Sequence, residues 1–282
     1  MQQVFGGCCV KNRVSDDIEN TRSILLGTKS ANVYFETNEY VGEILDNFDV
    51  ENKKVLTVLA SGDQAFHFYN KGAKKVDVFD KNPLTIYYYY LRRWVILYLK
   101  RSYPDFNFNS IFLRNILKNV IPRDDREKMA IEYWTKFADL LDTLDIQSKY
   151  YFYDRVLLKK DDEFDCEKLS SILENDEFNF YNIDLAKEIK IPEKYDIIYT
   201  SNVSHYVKNT GTFNSYGLNL KHHLNKNGVI ISSSISGFGA AEEEREILEK
   251  NFNHHILPEV YQPHLLDSYS PGYYYTKKRF WE

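Results

Sequence analysis

From residue 55 onward, short apolar segments alternate with longer segments that carry helical periodicity. The apolar runs at 55–60, 76–80 and 195–201 have the length and composition of strands buried on both faces. The segment 63–72 between the first two runs has the pattern of a helix that ends at a glycine. Because neighbouring parallel strands need a crossover connection, usually a helix, this alternation predicts a mostly parallel sheet.

Further strands are predicted at 178–183, 228–235 and 272–280, the second of them after a helical segment that ends at the turn NKNG, 225–228. A last helix is predicted at 242–250. The fold class that follows is α/β and Rossmann-like: a mostly parallel sheet with helices on both faces and a helical insert.

The helix after the second strand is predicted to begin where Asn82 can cap it and Pro83 can take its first position. Its buried stripe is expected to consist of residues at helical spacing: Leu84, Tyr87, Leu91, Val95 and Tyr98. The four consecutive tyrosines at 87–90 are therefore interpreted as core and helix surface, with a cofactor-binding segment as the alternative.

More than seventy residues separate this helix from the strand at 178, too many for a plain loop in a compact domain. We expect a helical insert at 103–176 with one apolar helix face: Met129, Tyr133, Phe137, Leu140 and Leu144. The insert is either a lid over the substrate or an additional packing layer. The predicted organisation is an N-terminal helical cap segment, 1–54, followed by a Rossmann-like domain, 55–282, that carries the insert.

The charge of the chain limits its partners. With 36 basic and 41 acidic residues spread along the chain, the net charge is −5, and no broad basic face for a phosphate backbone is predicted. The most apolar helix candidate is interrupted by Arg92 and Arg93, and the first residues lack the pattern of a secretion signal. We therefore expect neither a nucleic-acid partner nor a membrane span, and no oligomeric state is predicted.

The cysteines and histidines indicate the compartment and bear on metal binding. Cys8, Cys9 and Cys166 do not form an even disulfide framework, which predicts a reducing cytoplasmic location. The histidine doublets at 222–223 and 254–255 are not paired with a Cys-x-x-Cys motif, so no metal site is predicted.

The loop after the first strand, Ala60-Ser61-Gly62-Asp63, lies where an open parallel sheet meets a nucleotide. It has neither the three glycines of a dinucleotide fingerprint nor the Gly-Lys-Ser/Thr of a Walker loop. Asp63 instead places a carboxylate where a diphosphate would lie, and like charges repel. The ligand is therefore predicted to lack phosphate and to carry a cationic group, unless Asp63 is only a first-turn helix acid.

Asp80 ends the second strand eighteen residues after Gly62, where an acid reaches ribose hydroxyls in such folds. S-adenosylmethionine meets both demands, because it has an adenosine, a sulfonium and an α-amino group but no phosphate. The alternative is that Asp80 is a turn residue at a strand end.

These residues make the chain resemble the class I S-adenosylmethionine-dependent methyltransferase superfamily, over residues 32–102 and 178–282. In that family the loop after strand one holds the methionine part, which the resemblance assigns to Ser61, Gly62 and Asp63. The acid that ends strand two holds the ribose, which implies Asp80. An acid after strand three lies near the adenine amine, and Asp184 in the segment NID corresponds to it. The second and third glycines of the family loop are missing here.

Within that superfamily, SGDQ, DKNP and the long helix after them look most like the betaine-lipid type 3-amino-3-carboxypropyltransferases. Those relatives use the same cofactor but transfer its aminocarboxypropyl arm in place of its methyl group. Upstream, the segment NVYFETNEYVGEIL is predicted to close over the cofactor with Tyr34 and Glu36 nearby, and packing is the alternative.

The segment TSNVSHYV, 200–207, follows the predicted fourth strand and faces the reaction centre in such folds. Ser201 and Asn202 can bond to cofactor or acceptor, and His205 has a near-neutral reference pKa suited to a base, although a lone loop histidine is often structural. Tyr206 can line the acceptor pocket.

The predicted function is transfer of a 3-amino-3-carboxypropyl or methyl group from S-adenosylmethionine to a small molecule or lipid headgroup. The alternative is a catalytically silent protein that binds the same cofactor.

Overall fold

The computed structural model describes most of the chain, in these ranges: 7–25, 41–101, 109–144, 164–187, 191–201, 203, 207, 213–233, 249, 252–256, 260–261, 269–270 and 272–277. The helices are α1 (Gly7–Leu25), α2 (Val41–Leu45), α3 (Asp63–Asn70), α4 (Thr85–Leu99), α5 (Ser110–Leu117), α6 (Asp125–Thr143), α7 (Cys166–Asn175) and α8 (Phe213–His223). The strands are β1 (Lys54–Val58), β2 (Lys75–Asp80), β3 (Phe180–Asn182), β4 (Tyr195–Ser201), β5 (Leu224–Ser233), β6 (Phe252–Ile256), β7 (Val260–Tyr261), β8 (Tyr269–Ser270) and β9 (Gly272–Lys277).

The chain divides into two compact units. One unit comprises Met1–Glu36 and Leu84–Asn175, and the other comprises Thr37–Pro83 and Asp176–Glu282. The first is helical in the residues that the structure describes, and the second contains the sheet. The division into a cap segment and a domain with an insert stays a prediction.

The sheet has the strand order β3-β2-β1-β4-β5-β9-β6. The strands from β3 to β5 are parallel, whereas β9 lies antiparallel between β5 and β6. This confirms the predicted mostly parallel α/β architecture. The order reverses between β1 and β4, and such a reversal opens a crevice at the carboxyl ends of the two strands.

Helices pack on both faces of this sheet. Tyr216 and Leu220 of α8 share a buried apolar cluster with Ile198 of β4. The neighbouring residue on β4, Tyr199, meets the ring of Phe68 from α3 edge to face, with centroids 5.8 Å apart. Because successive side chains of a strand point to opposite faces, α3 and α8 lie on opposite faces, as predicted.

The strand β5 begins earlier than the predicted 228–235. Leu224 already pairs with Tyr195, and Val229 pairs with Ile197, so the turn residues between them form an irregularity inside the strand. A Cβ on Gly228 would lie 2.8 Å from the Leu224 side chain and 2.9 Å from the Asp196 carbonyl oxygen. The segment NKNG was expected to form a turn before the strand. It lies inside β5 and interrupts the regular pairing there.

The carboxyl-terminal strands differ most from expectation. The predicted last strand, 272–280, is found as β9, but its antiparallel direction and the strand β6 were not predicted. The strand expected at 178–183 is shortened to β3. The helix expected at 242–250 lies outside the described residues, apart from Glu249.

In the helical unit, α4 is buried around its whole circumference. The tyrosines at 87–90 are each at most 4% exposed, so the expectation that some lie on the helix surface is wrong. Tyr98, expected in the buried stripe, is 43% exposed. Arg93 is buried and its guanidinium donates to the Glu127 carboxylate at 3.1 Å, while the Trp94 indole donates to the same oxygen at 2.8 Å. The ion pair between Arg93 and Glu127 offsets the desolvation cost of burying both charges.

The helix α6 buries a wider surface than the predicted apolar stripe. Tyr133 and Phe137 are buried as expected, and Tyr133 stacks on Tyr87 with ring centroids 4.6 Å apart. The other predicted members of the stripe are only half-buried: Met129, Leu140 and Leu144. Buried in their place are Ala130, Trp134, Ala138 and Leu141. The shift arises because α1, α4 and α5 all contact α6. The interpretations of this region as a lid or as a packing layer remain alternatives.

Candidate cofactor site at the carboxyl ends of the strands

The loop between β1 and α3 makes a tight turn with one glycine. The Gly62 N–H donates to the Leu59 carbonyl at 2.6 Å, and Gly62 has φ of 94°, a left-handed conformation that glycine adopts without steric cost. Ala60 is also left-handed, with φ of 43°, which an L-residue with a Cβ adopts only at a cost. The single glycine of the loop thus occupies the position where the turn enters α3.

Asp63 closes this loop as the first residue of α3. The Ser61 hydroxyl donates to its carboxylate at 2.7 Å, and both side chains are buried. A carboxylate in the first turn of a helix is stabilised by the partial positive charge of the helix end. The end of α3 that would attract a phosphate therefore already carries an acid of the chain.

Asp80, at the end of β2, has a carboxylate fixed by two separate segments. The Ala60 N–H donates to one of its oxygens at 3.0 Å, and the Asn82 N–H donates to the other at 2.8 Å. One bond goes to each carboxylate oxygen, so the two bonds together fix the orientation of the carboxylate. The predicted start of the helix after β2 is wrong. The helix α4 begins at Thr85 with Leu84 at the capping position, so Asn82 does not cap it.

Asn182, which sequence reasoning did not single out, joins the ends of β2 and β3. Its side-chain amide donates to the Asp80 carbonyl at 2.9 Å and to the Lys81 carbonyl at 3.1 Å, and the Ile183 N–H donates to the same Asp80 carbonyl at 3.1 Å. The signal in the sequence that could have identified Asn182 is its position at a strand end, two residues before the predicted site residue Asp184.

Asp184 lies just beyond β3 and organises the turn that follows. The Ala186 N–H donates to its carboxylate at 3.0 Å, and the Lys187 N–H donates to its carbonyl at 3.0 Å. Asp80 ends β2 and Asp184 follows the adjacent parallel strand β3, so both lie at the same edge of the sheet.

Ser201 ends β4 in a left-handed conformation with φ of 52° and is 5% exposed. The Ser232 hydroxyl from β5 donates to the Ser201 carbonyl at 3.2 Å. Ser232 was not predicted as a site residue, because its partner is set by strand pairing.

The structure thus brings the described candidates to one edge of one sheet: Ser61, Gly62, Asp63, Asp80, Asp184 and Ser201. The other candidates lie outside the described residues: Tyr34, Glu36, Asn202, His205 and Tyr206. Within the described ranges, three or more metal-ligating side chains do not converge on any point. Among the helices described, none has the length and apolar character needed to cross a bilayer.

The comparisons with known proteins found similar structures only. No protein-family model and no curated protein matches the chain. A TehB-like SAM-dependent methyltransferase from Corynebacterium glutamicum aligns over 95% of this chain and 100% of its own, with 11% identity and a TM-score of 0.45.

Two further solved structures are similar to the same extent. A methyltransferase from Pyrococcus furiosus aligns over 95% of this chain and 98% of its own, with 9% identity and a TM-score of 0.46. The N-methyltransferase NodS from Bradyrhizobium japonicum, in complex with S-adenosyl-L-homocysteine, aligns over 96% and 99%, with 10% identity and a TM-score of 0.43. At these values the function of this chain has to be inferred from its own residues.

Proposed function

We propose that this chain is an S-adenosylmethionine-dependent transferase that acts on a small molecule or a lipid headgroup. The observation that carries the proposal is the carboxylate of Asp80, held at the end of β2 by N–H groups of Ala60 and Asn82. A carboxylate whose two oxygens are both oriented at this strand end suits the hydroxyls of a ribose.

The adjoining loop supports a ligand without phosphate. The buried Asp63 carboxylate at the start of α3 opposes an anion and favours a cation nearby. The residues present therefore fit S-adenosylmethionine better than a dinucleotide or ATP. Asp63 is fully buried and bonded to Ser61, so we assign it the shaping of the loop and of its electric field, with the methionine part of the ligand held by the loop itself.

The remaining roles follow from position along the edge of the sheet. Asp184, beyond β3, is proposed to lie near the adenine amine, and Ser201, at the end of β4, near the reaction centre. Tyr34 and Glu36 are proposed to close over the cofactor. Asn202 is proposed to bond to cofactor or acceptor.

When bound, S-adenosylmethionine supplies an alkyl group on a positively charged sulfur, and the electron pair of the broken carbon–sulfur bond stays on that sulfur. The chain has to hold the acceptor in line with this bond and to exclude water. A base is needed only for an acceptor that loses a proton, a role proposed for His205 with Tyr206 lining the pocket. The resemblance of SGDQ and DKNP to the 3-amino-3-carboxypropyltransferases favours the aminocarboxypropyl arm as the group that is transferred.

Binding of S-adenosylhomocysteine by Asp80→Ala and Asp80→Asn variants tests the cofactor assignment in calorimetry. Loss of hydrogen bonds to a charged acceptor costs about 1.5–3 kcal/mol each, so affinity should fall at least about tenfold in Asp80→Ala, with a smaller loss in Asp80→Asn. Asp196→Asn is the matched control, because this aspartate also accepts from a backbone N–H, of Lys54, and from the Asn225 amide. Unchanged affinity in a folded Asp80→Ala variant contradicts the ribose assignment.

The spent cofactor reports which group is transferred, before the acceptor is known. Methyl transfer leaves S-adenosylhomocysteine, and aminocarboxypropyl transfer leaves methylthioadenosine, so mass spectrometry after incubation with a broad acceptor panel separates them. Binding without either product favours the catalytically silent cofactor-binding protein, which is the second candidate function.

A further inference from the structure

The strand β4 carries a bulge at its carboxyl end. Tyr199 pairs with Ile231 and Ser201 pairs with Ser232, so two steps along β4 match one step along β5. Ser201, the last residue of the bulge, has φ of 52°. Bulges redirect a strand and are common beside active sites, where they aim a side chain or end the pairing.

Two buried hydroxyl groups stabilise this bulge. The Ser232 hydroxyl donates to the Ser201 carbonyl at 3.2 Å, and the Thr200 hydroxyl donates to the Ile231 carbonyl at 3.2 Å. The side chains of Ser232 and Thr200 are at most 1% exposed. The bulged end of β4 is therefore joined to β5 by one hydroxyl bond from each strand.

The bulge lies beside the crevice of the sheet. Since β4 and β1 are adjacent and mark the reversal of strand order, their carboxyl ends border the position where ligands bind in such sheets. Both ends carry a left-handed residue that is not glycine, Ala60 and Ser201. Such conformations cost free energy and persist only where surrounding contacts impose them.

We propose that Ser232 is a positioning residue, which holds Ser201 in its left-handed conformation and so shapes the end of β4 for the amino acid arm of the ligand. The inference rests on the proposed cofactor. Asp80 at the end of β2 and Asp184 beyond β3 are assigned to the adenosine, which leaves the ends of β1 and β4 for the methionine part. Ser232 then affects ligands that carry this part more than ligands that lack it.

The test compares two ligands, S-adenosylhomocysteine, which has the amino acid arm, and methylthioadenosine, which lacks it. Ser232→Ala should lower the affinity for the first about five- to tenfold, the effect of one hydrogen bond, and that for the second less than about twofold. Ser232→Thr keeps a hydroxyl and should restore the affinity. Thr200→Val, which removes the other hydroxyl bond between the same strands, should change both affinities equally or not at all.

The outcomes separate this inference from the proposed function. Equal changes for both ligands in Ser232→Ala, or no change in a folded variant, show that Ser232 is only structural and overturn the inference. Failure of the unaltered chain to bind either ligand overturns the cofactor assignment together with the inference. Loss of thermal stability alone, equal in Ser232→Ala and Thr200→Val, also counts against it.

Discussion

At the amino-terminal edge of the sheet, charged side chains pair with one another, whereas at the carboxyl-terminal edge the carboxylates are held by backbone N–H groups and a hydroxyl. Lys75 contacts Glu193 at 2.8 Å, and Lys54 contacts the same carboxylate. Hydrogen bonds from Lys54 and Lys75 lower the pKa of Glu193. Asp80 and Asp63, by contrast, accept from the uncharged donors described above. Hydrogen bonds from neutral donors orient a carboxylate without cancelling its charge.

The two edges also differ in where they place left-handed residues. Before β1 and β2 these positions are taken by Asn52 and Gly72, residue types that tolerate the conformation. After β1, Gly62 is again a tolerant residue, but Ala60 and, at the end of β4, Ser201 adopt the conformation although it is unfavourable for their residue types. Of these positions, the two that are unfavourable for their residue types thus lie at the carboxyl-terminal edge.

The largest effect on stability is expected from Asp77→Ala. Asp77 is fully buried in β2, where it accepts from the Tyr195 hydroxyl at 2.9 Å and from the N–H and side-chain amide of Asn179. Its loss leaves the donors of Tyr195 and Asn179 unsatisfied and removes one of the two ion pairs of Lys75, so unfolding free energy should fall by about 3 kcal/mol in urea denaturation. Ligand affinity should stay unchanged, because the network lies at the other edge. A large loss of affinity in the folded variant would break the comparison.

A smaller effect is expected from Gly228→Ala in β5. The new Cβ would meet the Asp196 carbonyl oxygen at 2.9 Å, which backbone rearrangement has to relieve. We expect destabilisation by about 2 kcal/mol in the same assay. A Gly72→Ala variant serves as control for backbone strain without crowding. Gly72 has φ of 89°, but the nearest atom to a Cβ there would belong to the Glu51 side chain, at an ordinary contact distance of 3.5 Å. Equal stability of Gly228→Ala and the unaltered chain contradicts the close packing described.

Substitution of the left-handed residue Ala60 should raise the unfolding free energy, in contrast to the two preceding variants. Ala60→Gly removes a Cβ from a left-handed residue and should stabilise the chain by up to about 1 kcal/mol, which loop entropy partly offsets. Asn52→Gly is the matched control at the other edge and should be nearly neutral. An alanine-to-glycine substitution inside a helix or strand costs roughly 0.5–1 kcal/mol. If Ala60→Gly destabilises the chain by a similar amount, residue 60 is not strained.

The smallest effect is a pH dependence at the amino-terminal edge. Burial lowers the pKa of His223, the hydrogen bond to the Glu193 carbonyl opposes the shift, and His222 and Lys194 add to it. A lowered pKa in the folded state means that the stabilising contribution of neutral His223 is present above about pH 6.5 and is lost as pH falls through the folded value. The unaltered chain should therefore lose more unfolding free energy between pH 8 and pH 5 than His223→Gln. Parallel pH profiles would contradict this.

The local signals in the sequence predicted the elements that carry the site. Apolar runs located β1, β2 and β4, and the loop composition located the turn at Gly62, because burial and backbone freedom are properties of single segments. The edge of the sheet that gathers the candidates also followed from sequence, since parallel strands place their carboxyl ends together.

Partners that are distant along the chain were decided by tertiary structure alone. The antiparallel insertion of β9, the bulge that joins Ser201 to Ser232, and the burial of Asp77 and Arg93 all depend on which segments become neighbours. Periodicity describes the face that one element presents, but not the element that covers it. A buried charge in particular looks like a surface charge in sequence, because the partner that compensates its desolvation is defined only by the fold.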